Sequence, residues 1–241
     1  SAADGASVTQ APAAHRGARW TTARDWLARP RSPRTLVVWL GLDLTLIEDD
    51  PYRYLLDDAP AAIATLTRGA NTFYLASLSK CLWPSLRTSF VLPPRGDTGE
   101  RLQSGLRAAS MGCSALLLGL VEHWIRSGTA KQLVQEIQRE ARARQQLARS
   151  LLTAPVQAHP SGIHLWLPLP AHWNQNLFTH ALDELGVNVA SADSFSVAPQ
   201  TQDAVRVSLG GPADQASLGS ALRKIDAVLK EDRRRSSRAF V

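Results

Sequence analysis

Ser77-Leu78-Ser79-Lys80 and, seven residues beyond the lysine, Arg87 bring two hydroxyls, a primary amine and a guanidinium together in the chain. The set suits a ligand that carries both an aldehyde and a phosphate. A lysine amine condenses with an aldehyde to an imine, while serine hydroxyls and an arginine fork are natural partners of a phosphate dianion. Pyridoxal phosphate has both groups, and its chemistry requires both ends to be held. The acidic run Glu48-Asp49-Asp50, closed by Pro51, follows an apolar segment, and carboxylates at the carboxyl end of a strand commonly face a site. Taken singly neither feature is specific: Ser-x-Ser-Lys is an ordinary turn, and an aspartate is often a cap or a loop carboxylate.

The elements that would position these residues form an orderly succession from Leu42 onward. The pattern predicts a strand Leu42 to Ile47, a short helix Ala61 to Thr67 with Pro60 suited to its first turn, a strand Thr72 to Ala76, the Ser-Lys turn, and a strand Ser89 to Leu92. This is α/β alternation. Helical periodicity follows over Gly99 to Ala109, Ser114 to Ser127 and Ala130 to Leu152, the last with an exposed face expected to carry Lys131, Glu136, Arg139, Glu140 and Arg144. After a loop, the spacing predicts a strand Ile163 to Leu167, a helix Gln175 to Leu185, short strands near Val187 and at Val205 to Leu209, and a helix Ala213 to Leu229. His164 and Trp166 lie in opposite phase to Ile163, Leu165 and Leu167, so the strand has a polar-aromatic and an aliphatic face; packing is expected of both residues rather than ligation or catalysis.

With 241 residues and 44% hydrophobic content the chain is long enough for a sizeable core, in one large domain or two small ones. The longest apolar run, Thr35 to Ile47, is interrupted by Asp43 and too short to span a bilayer, and no signal segment opens the chain, so a cytoplasmic location without membrane contact is expected. Cys81 and Cys113 fit no disulfide framework and no metal-binding spacing. Cys81, next to Lys80, reads as a small buried residue in preference to a reactive thiol. The net charge of +6 and pI near 9.9 come mainly from the arginines of residues 16–34 and from Arg233-Arg234-Arg235 with Arg238. Solvated ends are the main reading of these runs, and nucleic-acid contact is the lesser one.

Four segments occur in order: Ile47-Glu48-Asp49-Asp50-Pro51-Tyr52; Ser77-Leu78-Ser79-Lys80 through Leu86-Arg87; Gly162-Ile163-His164-Leu165-Trp166-Leu167; and Val205-Arg206-Val207-Ser208-Leu209. Together they resemble a fold-type I aminotransferase, most closely the aminotransferase-like domain of MocR-type regulators of the GntR family, where a winged helix-turn-helix precedes such a domain. The resemblance covers about Leu42 to Leu229. It implies an α/β fold, made of an incomplete pyridoxal-phosphate-dependent transferase large domain and a small α+β C-terminal domain. The implied division is an atypical basic segment 1–41, the C-terminal part of the large domain 42–128, the small domain 129–231 and a basic tail 232–241.

The resemblance implies pyridoxal 5'-phosphate as cofactor, with Lys80 forming the imine and later moving the substrate Cα proton. Asp49 would pair with the ring nitrogen, keeping it protonated so that the ring accepts electrons, and Tyr52 would hydrogen-bond the phenolic oxygen. Ser77 and Arg87, with Ser79 less firmly, map to phosphate ligands, and Arg206 maps to the fork that receives a substrate α-carboxylate. An amino acid or amine is the implied ligand and a homodimer the implied assembly, with DNA contacted only through a winged helix-turn-helix.

The chain also departs from this pattern. The first half of the large domain should precede Leu42, and residues 1–41, rich in Ala, Arg, Pro and Ser with Trp20, Trp26 and Trp39 out of any period, do not match it. The glycine-containing phosphate loop, the aromatic that stacks on the ring and the Asn-Pro-Thr-Gly stretch have no counterpart, and neither has the winged helix-turn-helix. Such a joint is expected of an out-of-frame reading of a GC-rich gene, or of a gene fragment. Exposed apolar sheet faces and weak or absent catalysis are expected in consequence. Three readings stand: an aminotransferase-like regulator domain, a piece of a free-standing amino-acid aminotransferase, or a non-catalytic remnant.

Overall fold

The computed structural model describes residues 45–57, 59–110, 112–196 and 202–231. The expectations for segment 1–41, for a strand start at Leu42 and for the tail 232–241 lie outside them.

Strand β1 (Leu46–Asp49) pairs in parallel with β2 (Thr72–Ser77), and β2 pairs antiparallel with β3 (Ser89–Leu92). Glu48 and Asp49 thus belong to the first strand instead of following it, and their side chains leave on opposite faces. Glu48 has a structural task. Its two carboxylate oxygens accept from Ile63 N at 2.9 Å and Ala64 N at 3.0 Å, which caps helix α1 (Ile63–Leu66) with negative charge at its N-terminus. Helix α1 is shorter than the Ala61 to Thr67 span expected. Ala62 is extended at φ −59°, ψ 145°, and Arg68 (φ 51°), Gly69 (φ 76°) and Asn71 (φ 45°) turn the chain back through left-handed conformations. The buried hydroxyls of Thr67 and Thr72, 3.0 Å apart, tie that turn to β2.

Helices α2 (Thr98–Ser110), α3 (Ala115–Arg126) and α4 (Thr129–Leu151) lead to a second sheet of β4 (His164–Pro168), β5 (Ala190–Ser191) and β6 (Ala204–Ser208). Its strand order is β4-β6-β5, with both outer strands antiparallel to β6. β5 starts beyond the position expected for it; Val187 instead contributes a buried side chain. Helices α5 (Gln175–Glu184) and α6 (Gln215–Lys230) complete this unit.

Hydrophobic burial is uneven between the two sheets. Among the described residues, sixteen buried side chains form one cluster around the second sheet, including Leu165, Leu167, Val205 and Val207 from the strands and Trp173, Phe178, Leu182, Leu222 and Ile225 packed on them. Each such side chain contributes about 1.5–3 kcal/mol on burial. Some polar groups in this region are matched: Trp173 Nε1 donates to the Val228 carbonyl at 3.1 Å, and Asp226 accepts from both the N–H and the hydroxyl of Thr153 at 2.8 Å. The other cluster has five buried residues, Leu55, Leu78, Cys81, Leu86 and Val121, with Trp124, Val134, Ile137 and Ile163 against them. The first sheet is thinly covered: Ile47 is 71% exposed and Leu92 61%.

Helix α4 corrects one expectation. Lys131, Glu136 and Arg139 are exposed, but Arg144 is buried. Its guanidinium donates to Glu140 Oε1 at 2.6 Å and to the carbonyls of Leu209 and Pro212 at 2.8 Å each. Gln145, beside it, donates from Nε2 to the carbonyls of Gly162 and His164 at 2.8 and 3.0 Å. These two side chains fix the ends of β4 and β6 to the helix. Arg144→Ala strands several buried acceptors and should lower unfolding free energy by about 2–3 kcal/mol, whereas Arg139→Ala at an exposed pair should change it by less than about 0.5 kcal/mol; urea titration of the two variants separates these outcomes.

Candidate functional site

The Ser-Lys turn stands on the smaller cluster. Leu78 and Cys81 point down into it, while Lys80 is exposed and Ser77 and Ser79 are half-buried. Leu78 N donates to Thr88 O at 3.2 Å, holding the turn against the start of β3. Ser77 Oγ accepts from Ser79 N at 3.2 Å, so its hydroxyl proton stays available to an acceptor outside the turn. Burial pushes the Cys81 thiol up to about 11, which keeps it protonated and unreactive beside Lys80.

Asp49 and the serine end of β2 share a face. Asp49 pairs with Leu75, and Leu75 and Ser77 have the same side-chain phase. The neighbouring carboxylates are engaged elsewhere, Glu48 at the start of α1 and Asp50 with Arg53 at 3.5 Å. Asp49 is exposed, and among the described residues its carboxylate forms no hydrogen bond or ion pair; the same is true of the Lys80 amine and the Arg87 guanidinium. Arg87 lies beyond the 3-10 turn Pro84–Leu86 at φ 47°, a left-handed conformation that a non-glycine residue seldom adopts.

Arg206 comes from the second sheet, opposite Trp166 of β4 and Ala190 of β5. Its guanidinium carbon lies 4.6 Å from the centre of the Phe195 ring. Its Nε is buried and has no hydrogen-bond partner among the described residues. His164, at the start of β4, meets the turn that follows β1. Its ring meets Tyr52 edge-on at 6.2 Å, its Nδ1 is buried and also without a partner among the described residues, and burial lowers its pKa, with the charges of Arg206 and Lys80 acting in the same direction. Lys80, Tyr52, His164 and Arg206 therefore share one region although they come from separate segments. Ser77 and Ser79 adjoin Lys80 in the chain, Asp49 lies on the strand beside β2, and Arg87 follows the 3-10 turn.

Solved structures share this architecture. The alpha-aminoadipate aminotransferase LysN from Thermus thermophilus, complexed with N-(5'-phosphopyridoxyl)-L-leucine, superposes over 91% of this chain and 64% of its own, with a TM-score of 0.74 at 19% identity. A multiple substrate aminotransferase from Thermococcus profundus superposes over 84% of this chain and 52% of its own, with a TM-score of 0.72 at 16% identity. The chain has the aminotransferase fold. The α/β expectation, with a small mixed unit at the C-terminal side, agrees with this fold. In sequence, the chain is 30% identical over 167 residues to the uncharacterized HTH-type transcriptional regulator YdfD of Bacillus subtilis (strain 168), covering 66% of this chain and 34% of the regulator. It is 29% identical over 191 residues to YdeF of the same strain, covering 78% of this chain and 41% of that regulator. The chain thus spans about a third to two fifths of the curated relatives it matches. No protein-family model matches it. Among the described residues no helix is long and apolar enough to cross a membrane.

Within this aminotransferase fold, His164 packs, as expected, against Tyr52, while Phe195 was not singled out in the sequence. The strand phase does set His164 and Trp166 apart from the buried Leu165 and Leu167, and that polar-aromatic face is the one turned to the site. Nothing local marks Phe195, which reaches Arg206 only because β5 pairs with β6.

The depressed pKa of His164 has a direction-specific consequence. The unfolded chain protonates His164 below its ordinary 6.5, while the folded chain resists until a lower pH. The unfolded state then binds more protons, so this contribution to stability is complete above about pH 6.5 and is lost as pH falls toward the folded value. His164→Gln should flatten the decline of denaturation midpoint between pH 7 and about pH 5 relative to wild type; equal slopes would show that the imidazole is not held neutral.

Proposed function

We propose that this chain carries the lysine-bearing and carboxylate-binding part of a pyridoxal-phosphate-dependent, aminotransferase-like domain, of the kind that follows a winged helix-turn-helix in MocR-type regulators of the GntR family. The observation that carries the reading is that His164, on the strand that pairs with Arg206 and in ring contact with Tyr52, also feels the charges of Arg206 and Lys80. An amine from the Ser-Lys turn and a guanidinium from β6, its buried Nε without a partner among the described residues, both act on His164. Similarity to two helix-turn-helix regulators supports the regulator setting over a free-standing enzyme, and the aminotransferase neighbours support the cofactor class.

The donor set fits the cofactor. A protonated pyridine ring supplies an electron sink when a Cα–H bond of an amino compound is broken. Lys80 would hold the aldehyde carbon, and its amine, once released, would carry the Cα proton. Asp49, unpaired at the end of β1, would keep the ring nitrogen protonated, and Tyr52 would donate to the phenolic oxygen. Ser77 has a hydroxyl proton to give a phosphate; Ser79 and Arg87 would add a second hydroxyl and a positive charge. Arg206 would receive a carboxylate in bidentate fashion. His164, kept neutral by its surroundings, adds no charge to compete with Arg206 or Lys80 for an anion.

The regulator reading assigns residues 42–128 to the large domain and 129–231 to the small one, with an amino acid or amine as effector and a dimer as the working assembly. The decisive measurement is the visible absorbance of purified protein with added pyridoxal phosphate, before and after borohydride, beside Lys80→Ala. A band that is absent in the variant, with cofactor fixed covalently by reduction only in wild type, is the expected result; indistinguishable spectra would defeat the assignment of Lys80.

A further inference from the structure

We infer that Phe195 is a positioning residue for Arg206 that confines the guanidinium to edge-on capture of a carboxylate and so selects amino acids over the corresponding amines. The inference rests on the reading that Arg206 receives the ligand carboxylate. A guanidinium on a flexible stem has two faces and an edge, and only the edge offers the parallel N–H pair that grips a carboxylate. The guanidinium carbon lies over the Phe195 ring, 4.6 Å from its centre, so the ring occupies one side of the guanidinium. Trp166, paired across the sheet with Arg206, meets the Phe195 ring edge-on at 5.8 Å and 72°, so the platform is itself braced.

The segment that bears Phe195 is tightly fixed for an exposed turn. Ser191 pairs with Val205 and Ala190 with Arg206. The 3-10 turn Ala192–Phe195 follows at once, and the buried Ala192 donates its N–H to the side chain of Gln175 at 3.1 Å. Gln175 is buried too, its own N–H held by Asp203 at 3.0 Å. Phe195 nevertheless remains 48% exposed, which is a poor use of a phenyl ring for core packing and an apt one for a platform under a cation. With the ring on one side and Nε buried, the terminal amino groups are the part of the guanidinium left for an incoming anion. A ligand without a carboxylate gains nothing from this arrangement.

The test compares wild type, Phe195→Leu and Phe195→Tyr, all as the full chain, in binding L-leucine and its decarboxylated counterpart isoamylamine. In the cofactor-loaded protein, ligand titration of the Lys80-dependent band should give a dissociation constant for L-leucine raised about five-fold in Phe195→Leu, a constant for isoamylamine changed less than about two-fold, and recovery in Phe195→Tyr. Equal shifts for both ligands, or none, overturn the inference, since a purely structural role would move both. A second readout is independent of the cofactor. With isotope-labelled arginine, the Arg206 Nε–H resonance, assigned through Arg206→Lys, should lie upfield from the ring current of Phe195, move downfield in Phe195→Leu, and respond to L-leucine but not to isoamylamine. If wild type forms no Lys80-dependent band while this resonance still responds to L-leucine in a Phe195-dependent way, the cofactor reading fails and the positioning role stands. A resonance unmoved by L-leucine, or moved equally in Phe195→Leu, removes the positioning role whatever the spectrum shows.

Discussion

The relative placement of Lys80 and Arg206 depends on one rigid element, helix α4. At about 1.5 Å per residue its 23 residues extend roughly 34 Å, long enough to serve both sheets. Toward its N-terminal side Val134 and Ile137 pack against the cluster that carries Leu78 and Cys81 under the Ser-Lys turn. Toward its C-terminal side Arg144 and Gln145 hold backbone carbonyls at the ends of β6 and β4, and Ala148 enters the larger core. An amine on one sheet and a guanidinium on the other therefore share one frame, although their segments lie far apart in sequence. The buried guanidinium is what makes the frame directional: apolar packing alone would let β6 slide along the helix, whereas carbonyl acceptors at fixed spacing do not.

The uneven cores give the two halves of the site different mechanical character. Among the described residues, Arg206 stands on a sheet backed by sixteen buried side chains, and Lys80 on a turn backed by five. Local opening should begin at the smaller cluster and at the thin first sheet, because few buried apolar contacts oppose it there. On the proposed reading, a ligand that engaged both Lys80 and Arg206 would bind only when these halves are in register. Its binding free energy would thus be added to the weaker half by mass action.

Much of this was legible in the sequence. Strand β3 begins and ends where its alternation and flanking residues put it, and the four ordered segments bring Asp49, Lys80 and Arg206 into one reading. Arg144 was misassigned for an instructive reason. It lies seven residues after Ile137 and three after Ala141, on the buried stripe of α4, so helical periodicity alone places it inward; its charge suggested the opposite, and the acceptors that reconcile the two come from distant residues. Glu48 shows the same limit, since the helix end it caps begins fifteen positions later. Phe195 was illegible because its meaning is wholly non-local: a lone aromatic after a two-residue strand acquires a partner only when β5 and β6 pair.

The fold by itself does not separate an enzyme from a sensor; the wiring between the halves bears on that question more directly. Tyr52 and His164 meet across the junction edge-on at 6.2 Å, a contact that is weak beside the hydrogen bonds holding either sheet. A catalyst needs this junction rigid through a turnover, because small misplacements of the proton-carrying group are costly. A regulator needs it to have two arrangements that a ligand can bias. An amino acid held by its amine end on the Lys80 side and by its carboxylate on the Arg206 side would connect the two halves more firmly than the Tyr52–His164 contact does. Its differential binding energy would then be expressed as a change in how the sheets sit together. That is the form of output a regulatory domain requires, and it needs no chemistry beyond capture of the ligand.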